Sequence, residues 1–139
     1  MTDSLAIREA RQDDLEPLTQ FLAPFVGRQQ ILPRSPNELS ILLKNGFVAE
    51  CNSVIVGFAA VEVYSQKLAE VQCLCVADSY QGQGLGRKLV SLCVTRAIEL
   101  DVCELMAITA VESLFMDCGF HYSLPGQKRA LFVETKKRS

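Results

Sequence analysis

Val76-Ala77-Asp78-Ser79-Tyr80-Gln81-Gly82-Gln83-Gly84-Leu85-Gly86-Arg87 is the stretch on which the reading of this chain turns. It follows an apolar run that reads as a strand. It leads straight into an amphipathic helix that extends to about Asp101, with Leu85, Leu89, Leu92, Cys93, Ala97 and Leu100 on its inner face. Glycines let a backbone turn tightly and expose successive N–H groups, and the first turn of a helix adds roughly half a positive charge. Such a loop is a site for phosphate oxygens, with Arg87 and Lys88 close by to reinforce it. A Walker loop needs Gly-Lys-Ser/Thr, which is missing. A dinucleotide fingerprint needs glycine where Arg87 stands and a βαβ setting, which the upstream strands do not supply.

Outward from the loop, the period upstream is that of strands. Phe47–Cys51, Val54–Tyr64 and Leu68–Val76 are separated by the turns Asn52-Ser53 and Ser65-Gln66-Lys67, which predicts three antiparallel strands. Ahead of them Leu5–Arg8 reads as a short strand. A first helix begins at Asp13 and Asp14, carries Leu15, Leu18, Leu22, Phe25 and Val26, and breaks at Gly27. Ser35-Pro36-Asn37-Glu38 is a capping box with proline at the first helical position; it opens a helix with Leu39, Leu42 and Leu43 on one side that stops at Gly46. Downstream, Leu105–Thr109 reads as a strand, Glu112–Cys118 as a short helix ended by Gly119, and Ala130–Glu134 as a last strand. The order βααβββαβαβ predicts an α/β fold, a mixed sheet with helices on both faces, as a single domain over residues 1–139.

At 139 residues and 49% apolar composition the chain buries a core without disulfides or metal. The net charge of −2 argues against bulk attraction to nucleic acid or to an anionic membrane surface. The opening MTDSLAIREA lacks the basic and apolar regions of a signal peptide, and no apolar run reaches membrane-span length, so the expected location is the cytoplasm. Six cysteines and one histidine, His121, make neither a zinc pattern nor a Cys-His or Ser-His-Asp hydrolase. Most of the thiols read as reduced, buried small hydrophobes, and His121 as a solvent-facing residue.

Gln81-x-x-Gly84-x-Gly86 resembles the pyrophosphate loop of GNAT acetyltransferases, Q/R-x-x-G-x-G/A, placed after the fourth strand as in that family. Gly119-Phe120 resembles the family's closing G-F, and the element order covers nearly the whole chain. The resemblance implies an acetyl-CoA-dependent N-acetyltransferase. Its co-substrate would be held by Gln81, Gly82, Gln83, Gly84, Leu85, Gly86 and Arg87 and by the backbone of Leu74 and Val76. It requires no metal, and its partner is a small-molecule amine, with a homodimer left open.

Three further segments are similar to the acetyltransferase domain of N-acetylglutamate synthases: Ile31-Leu32-Pro33-Arg34-Ser35, Ala69-Glu70-Val71-Gln72-Cys73, and Leu124-Pro125 through Lys128-Arg129-Ala130-Leu131-Phe132 to Lys137-Arg138-Ser139. This narrower resemblance implies that Arg34 and Arg138 hold the carboxylates of glutamate, that Cys73 and Ser139 lie beside them, and that Glu70 is the base. Strict alternation along a strand sets Glu70 and Cys73 on opposite faces; the β-bulge implied by the resemblance turns both toward one cleft. The chain departs from those synthases at Ala110 and Val111, where they carry an arginine and a hydroxyl. Phe115 stands where many GNAT enzymes have a general-acid tyrosine, as it does in the synthases. The 139 residues hold no counterpart of the amino-acid-kinase domain that many synthases carry, so arginine feedback through such a domain is not expected. Three readings stay open: a glutamate acetyltransferase, a GNAT enzyme for another amino acid, a polyamine or a peptide terminus, and a non-catalytic acyl-CoA-binding module.

Overall fold

Alternating apolar residues between Phe47 and Val76 fold as the antiparallel meander that their spacing predicts. The computed structural model describes residues 4–122 and 131–136. Along them run β1 (Leu5–Glu9), a 3-10 turn at Gln12–Asp14, α1 (Leu15–Gly27), α2 (Pro36–Leu43), β2 (Gly46–Cys51), β3 (Val54–Val63) and β4 (Leu68–Val76). A second 3-10 turn at Asp78–Tyr80 then precedes α3 (Leu85–Glu99), β5 (Glu104–Met106) and α4 (Glu112–Asp117). The sheet order is β1-β2-β3-β4-β5. The first four strands are antiparallel, and β5 lies parallel to β4 after the α3 crossover.

Each face of this sheet carries its own core. On one side Leu18, Leu22 and Phe25 of α1 and Leu39, Leu42 and Leu43 of α2 pack on Val48, Phe58, Ala60, Cys73 and Cys75. On the other, Leu85, Leu89, Val90 and Cys93 of α3 and Phe115 of α4 pack on Ala49, Ala59, Val61, Ala69 and Val71. Burying side chains of this size stabilises by about 1.5–3 kcal/mol each. The α2 helix starts where its capping box sets it: Ser35 Oγ accepts from Glu38 N–H at 3.2 Å, and Glu38 Oε1 accepts from Ser35 N–H at 2.8 Å.

Four details differ from the sequence expectations. β5 covers only Glu104–Met106 rather than running to Thr109; among the described residues it pairs with β4 alone, and Ile108 is exposed. On α3, Val90 is buried and Leu100, the C-cap, is exposed, because the helix ends at Glu99. Tyr64 lies past the end of β3. The last strand is not formed over Leu131–Glu134, which have no ladder partner among the described residues and where Phe132 is 76% exposed; Ala130 lies outside the described residues.

The N-terminal edge is closed by a charge cluster. Arg8 forks onto Asp14 with bonds of 2.9 and 2.8 Å and reaches Glu50 at 3.1 and 3.2 Å, while Asp14 also accepts the Arg11 N–H at 2.7 Å. Asp14 is buried, and the Arg8 guanidinium, more than the opposing effect of burial, holds its carboxyl below the usual range. A carboxyl depressed on folding contributes stability that is complete above its unfolded value of about 3.9 and is lost as pH falls through the folded value. Asp14→Asn should therefore lower stability by about 1–2 kcal/mol near neutral pH. In urea titrations the gap to wild type should begin to narrow as pH falls below about 4; a gap that never narrows down to the acid unfolding limit would contradict the assignment.

Candidate active site

The geometry of the site starts from an irregularity in β4. Phe58 pairs with Cys75 and Ala60 with Gln72, so Ala59 alone faces the two residues Cys73 and Leu74. Cys73 takes up the extra residue in a left-handed conformation, φ 57°. An inserted residue of this kind breaks the two-residue alternation, so consecutive side chains share a face. Glu70, Gln72, Cys73 and Cys75 thereby come to the α1–α2 side, as the sequence reading of the bulge expected, while Leu74 and Val76 pack toward α3.

Glu70 is buried and accepts a hydrogen bond from the Tyr64 hydroxyl at 2.6 Å. Gln72 donates to the same hydroxyl at 3.3 Å, and its carbonyl oxygen accepts from the Arg34 guanidinium. Glu62 stands directly across the ladder from Glu70. The result is one chain of bonds, Arg34 to Gln72 to Tyr64 to Glu70. Arg34 is half-buried just ahead of the Ser35 cap, and its other donor reaches the Leu32 carbonyl at 3.3 Å. It walls two hollows. One, of about 240 Å³, lies between α1, Leu32, Pro33 and Cys73; the other, of about 180 Å³, is lined by Glu38, Ile41, Leu42 and Glu62. Burial pushes the Cys73 thiol up, the neighbouring Arg34 charge offsetting only part of this, so the sulfur stays a neutral thiol near pH 7 and is a poor nucleophile.

Beyond Glu70 the open edge of β4 has a different character. β5 pairs with β4 only over Leu68–Glu70, and the two strands part from there. Ala77 N–H donates to Val56 at 2.8 Å on the β3 side. By alternation the main-chain groups of Val76 and Leu74 face the other way, and Val76 C=O indeed accepts from the Gln81 side chain at 3.0 Å rather than from a strand.

In the glycine loop Gly82 and Gly84 have φ of 79° and 83°, a region costly for residues with a Cβ, and Gly84 caps α3. The N–H groups of Leu85, Gly86 and Arg87 belong to the first turn and have no acceptor within the helix. Gln81 and Gln83 brace the loop from inside, onto Val76 and onto Ser79 C=O at 3.3 Å, so what the loop presents outward is main chain. The Arg87 guanidinium pairs with Asp117 of α4, and glycine at Gly86 makes room for packing, since a Cβ there would meet Leu114 Cδ1 at 2.9 Å.

Arg138 and Ser139 lie outside the described residues. Phe115 is buried edge-on to Phe120, ring centroids 5.2 Å apart, as part of the core. His121 is exposed, and the six cysteines are free thiols, four of them buried. Sequence reasoning missed Glu62, Tyr64 and Gln72; the signal was the β3–β4 turn, whose register sets Glu62 opposite Glu70.

Known proteins share this architecture. Residues 43–122 match the acetyltransferase (GNAT) domain family. An uncharacterised N-acetyltransferase of Chlorobaculum tepidum is 27% identical over 82% of this chain and 74% of its own length. An amino-acid acetyltransferase of Ralstonia nicotianae is 31% identical over 94% of this chain, which spans only 30% of that relative. The crystal structure of N-acetylglutamate synthase from Neisseria gonorrhoeae, complexed with coenzyme A and N-acetyl-glutamate, superposes with a TM-score of 0.73 at 22% identity, over 84% of this chain and 28% of that one. The matched domain, the mixed sheet and the glycine loop at the start of α3 agree, and the chain belongs to the GNAT family of N-acetyltransferases.

Proposed function

We propose that this chain moves the acetyl group of acetyl-CoA onto the α-amine of an acidic amino acid, L-glutamate first among them. The observation that carries the reading is the polar chain on the α1–α2 side of β4, where buried Glu70 is linked through Tyr64 and Gln72 to Arg34, with the bulge at Cys73 bringing that thiol to the same side. The relatives named amino-acid acetyltransferases and the synthase bound to N-acetyl-glutamate support the choice of acceptor.

The residues present suit acetyl-CoA. Unpaired first-turn N–H groups at Leu85–Arg87, with Gly82 and Gly84 letting the backbone come close, suit a pyrophosphate. The outward main-chain groups of Leu74 and Val76, which β5 does not pair, suit the amides of the pantetheine arm. When bound, acetyl-CoA supplies a thioester-activated acetyl group. Glu70 takes the proton that the acceptor's ammonium must lose, directly or through one water. Arg34, with Arg138 and Ser139 proposed to assist, holds carboxylate by paired N–H bonds and fixes the amine in line. The neutral Cys73 thiol shapes the wall of the acceptor hollow, which favours direct transfer to the amine over an acyl-cysteine. Six unpaired thiols suit a reducing compartment, and we place the protein in the cytoplasm.

A second reading has one observation in its favour. Glu38 and Glu62 line the same hollow as Arg34, which suits a cationic acceptor such as a polyamine.

Gly84→Val forces a β-branched residue into the left-handed region at the α3 cap. Calorimetry on this variant, shown folded by circular dichroism, should find CoA bound at least about tenfold more weakly, 1.4 kcal/mol. Unchanged affinity would remove the loop from the binding site. Arg34→Lys keeps the charge but loses the fork. It should raise KM for glutamate roughly tenfold or more while leaving KM for acetyl-CoA unchanged; unaltered kinetics for both substrates would remove Arg34 from acceptor binding.

A further inference from the structure

Among the groups that the proposed chemistry does not use, Tyr64 is the one placed to control it. It follows β3 on the turn toward β4, half exposed to solvent. Its hydroxyl sits between two carboxylates that face each other across the ladder, donating to Glu70 at 2.6 Å and lying 3.4 Å from Glu62. The same oxygen receives the Gln72 amide, whose other end holds Arg34. The polar and charged groups facing Glu70 are therefore Tyr64, Glu62 on β3, Gln72 and the Cys73 thiol on β4, and Arg34 ahead of α2 at one remove through Gln72. Of these, only Tyr64 gives Glu70 a direct hydrogen bond among the described residues.

We propose that Tyr64 is the positioning residue of this site: its hydroxyl fixes the Glu70 carboxylate, and through Gln72 it ties that carboxylate to the guanidinium that receives the acceptor. The inference rests on Glu70 being the base. A donor to an ionised carboxylate favours the charged form and aims its free oxygen. Loss of the hydroxyl therefore loosens the geometry of the carboxylate. The neighbouring Glu62 adds to this, because two facing carboxylates without a donor between them repel. The burial of Tyr64 and its bond to Glu70 hold its phenol proton well above the ordinary tyrosine range, so it remains a donor throughout the working pH range.

Tyr64→Phe keeps the ring and its packing. Its kcat should fall roughly three- to tenfold and KM for the acceptor should rise through the loosened Gln72–Arg34 link, with KM for acetyl-CoA unchanged. Glu70→Gln, run alongside, should lose roughly 10²–10⁴-fold in kcat. If Glu70→Gln is inactive while Tyr64→Phe keeps the wild-type kcat and acceptor KM, the positioning role is wrong and the base assignment stands. If Glu70→Gln turns over at the wild-type rate, the base assignment fails and the proposal fails with it.

Discussion

A single residue of β4 in a left-handed conformation organises this molecule. Cys73 at φ 57° is an arrangement that costs of order 1–3 kcal/mol for a residue with a side chain. Its sulfur and that of Cys75 are buried against α1 and α2, so packing on that face holds the bulge in place. The hollow beside the polar strip depends on it. Without the inserted residue the side chains of β4 past Gln72 would exchange faces, and Cys73 would leave the hollow that Arg34 walls.

The bulge also separates two kinds of recognition. On the α1–α2 face, side chains converge: Arg34, Gln72, Tyr64, Glu70 and Glu62 form a polar strip beside apolar hollows. Along the open edge and the loop that follows it, main-chain groups face outward, and the Gln81 and Gln83 side chains are tied back to Val76 and Ser79. An amine acceptor that must be chosen by charge suits the first surface. A long, flexible, phosphate-bearing donor suits the second.

Much of this was legible because it is local. The Ser35–Glu38 box, the Gly84 cap and the two strand turns each declare themselves within four residues, and the structure forms them where they were read. Glu70 and Arg34 were named through family resemblance, and the geometry links them. Tyr64, Glu62 and Gln72 were not legible, since their meeting depends on cross-strand register and on where the extra residue falls. The pairing of Arg87 with Asp117 and the room that Gly86 makes for Leu114 depend on the arrival of α4, which no local pattern announces. The apolar run Leu131-Phe132-Val133 has strand composition, yet composition alone provides no ladder, and these residues stand exposed.

The strip's charges pull in both directions, since Arg34 attracts carboxylates while Glu38 and Glu62 attract ammonium groups. A thiol-release assay with acetyl-CoA and a panel of amines measures the balance directly. The account predicts turnover with L-glutamate, weaker turnover with glutamine, which lacks the side-chain charge, and none that depends on a polyamine. Glutamate left inert while a polyamine is acetylated would contradict it.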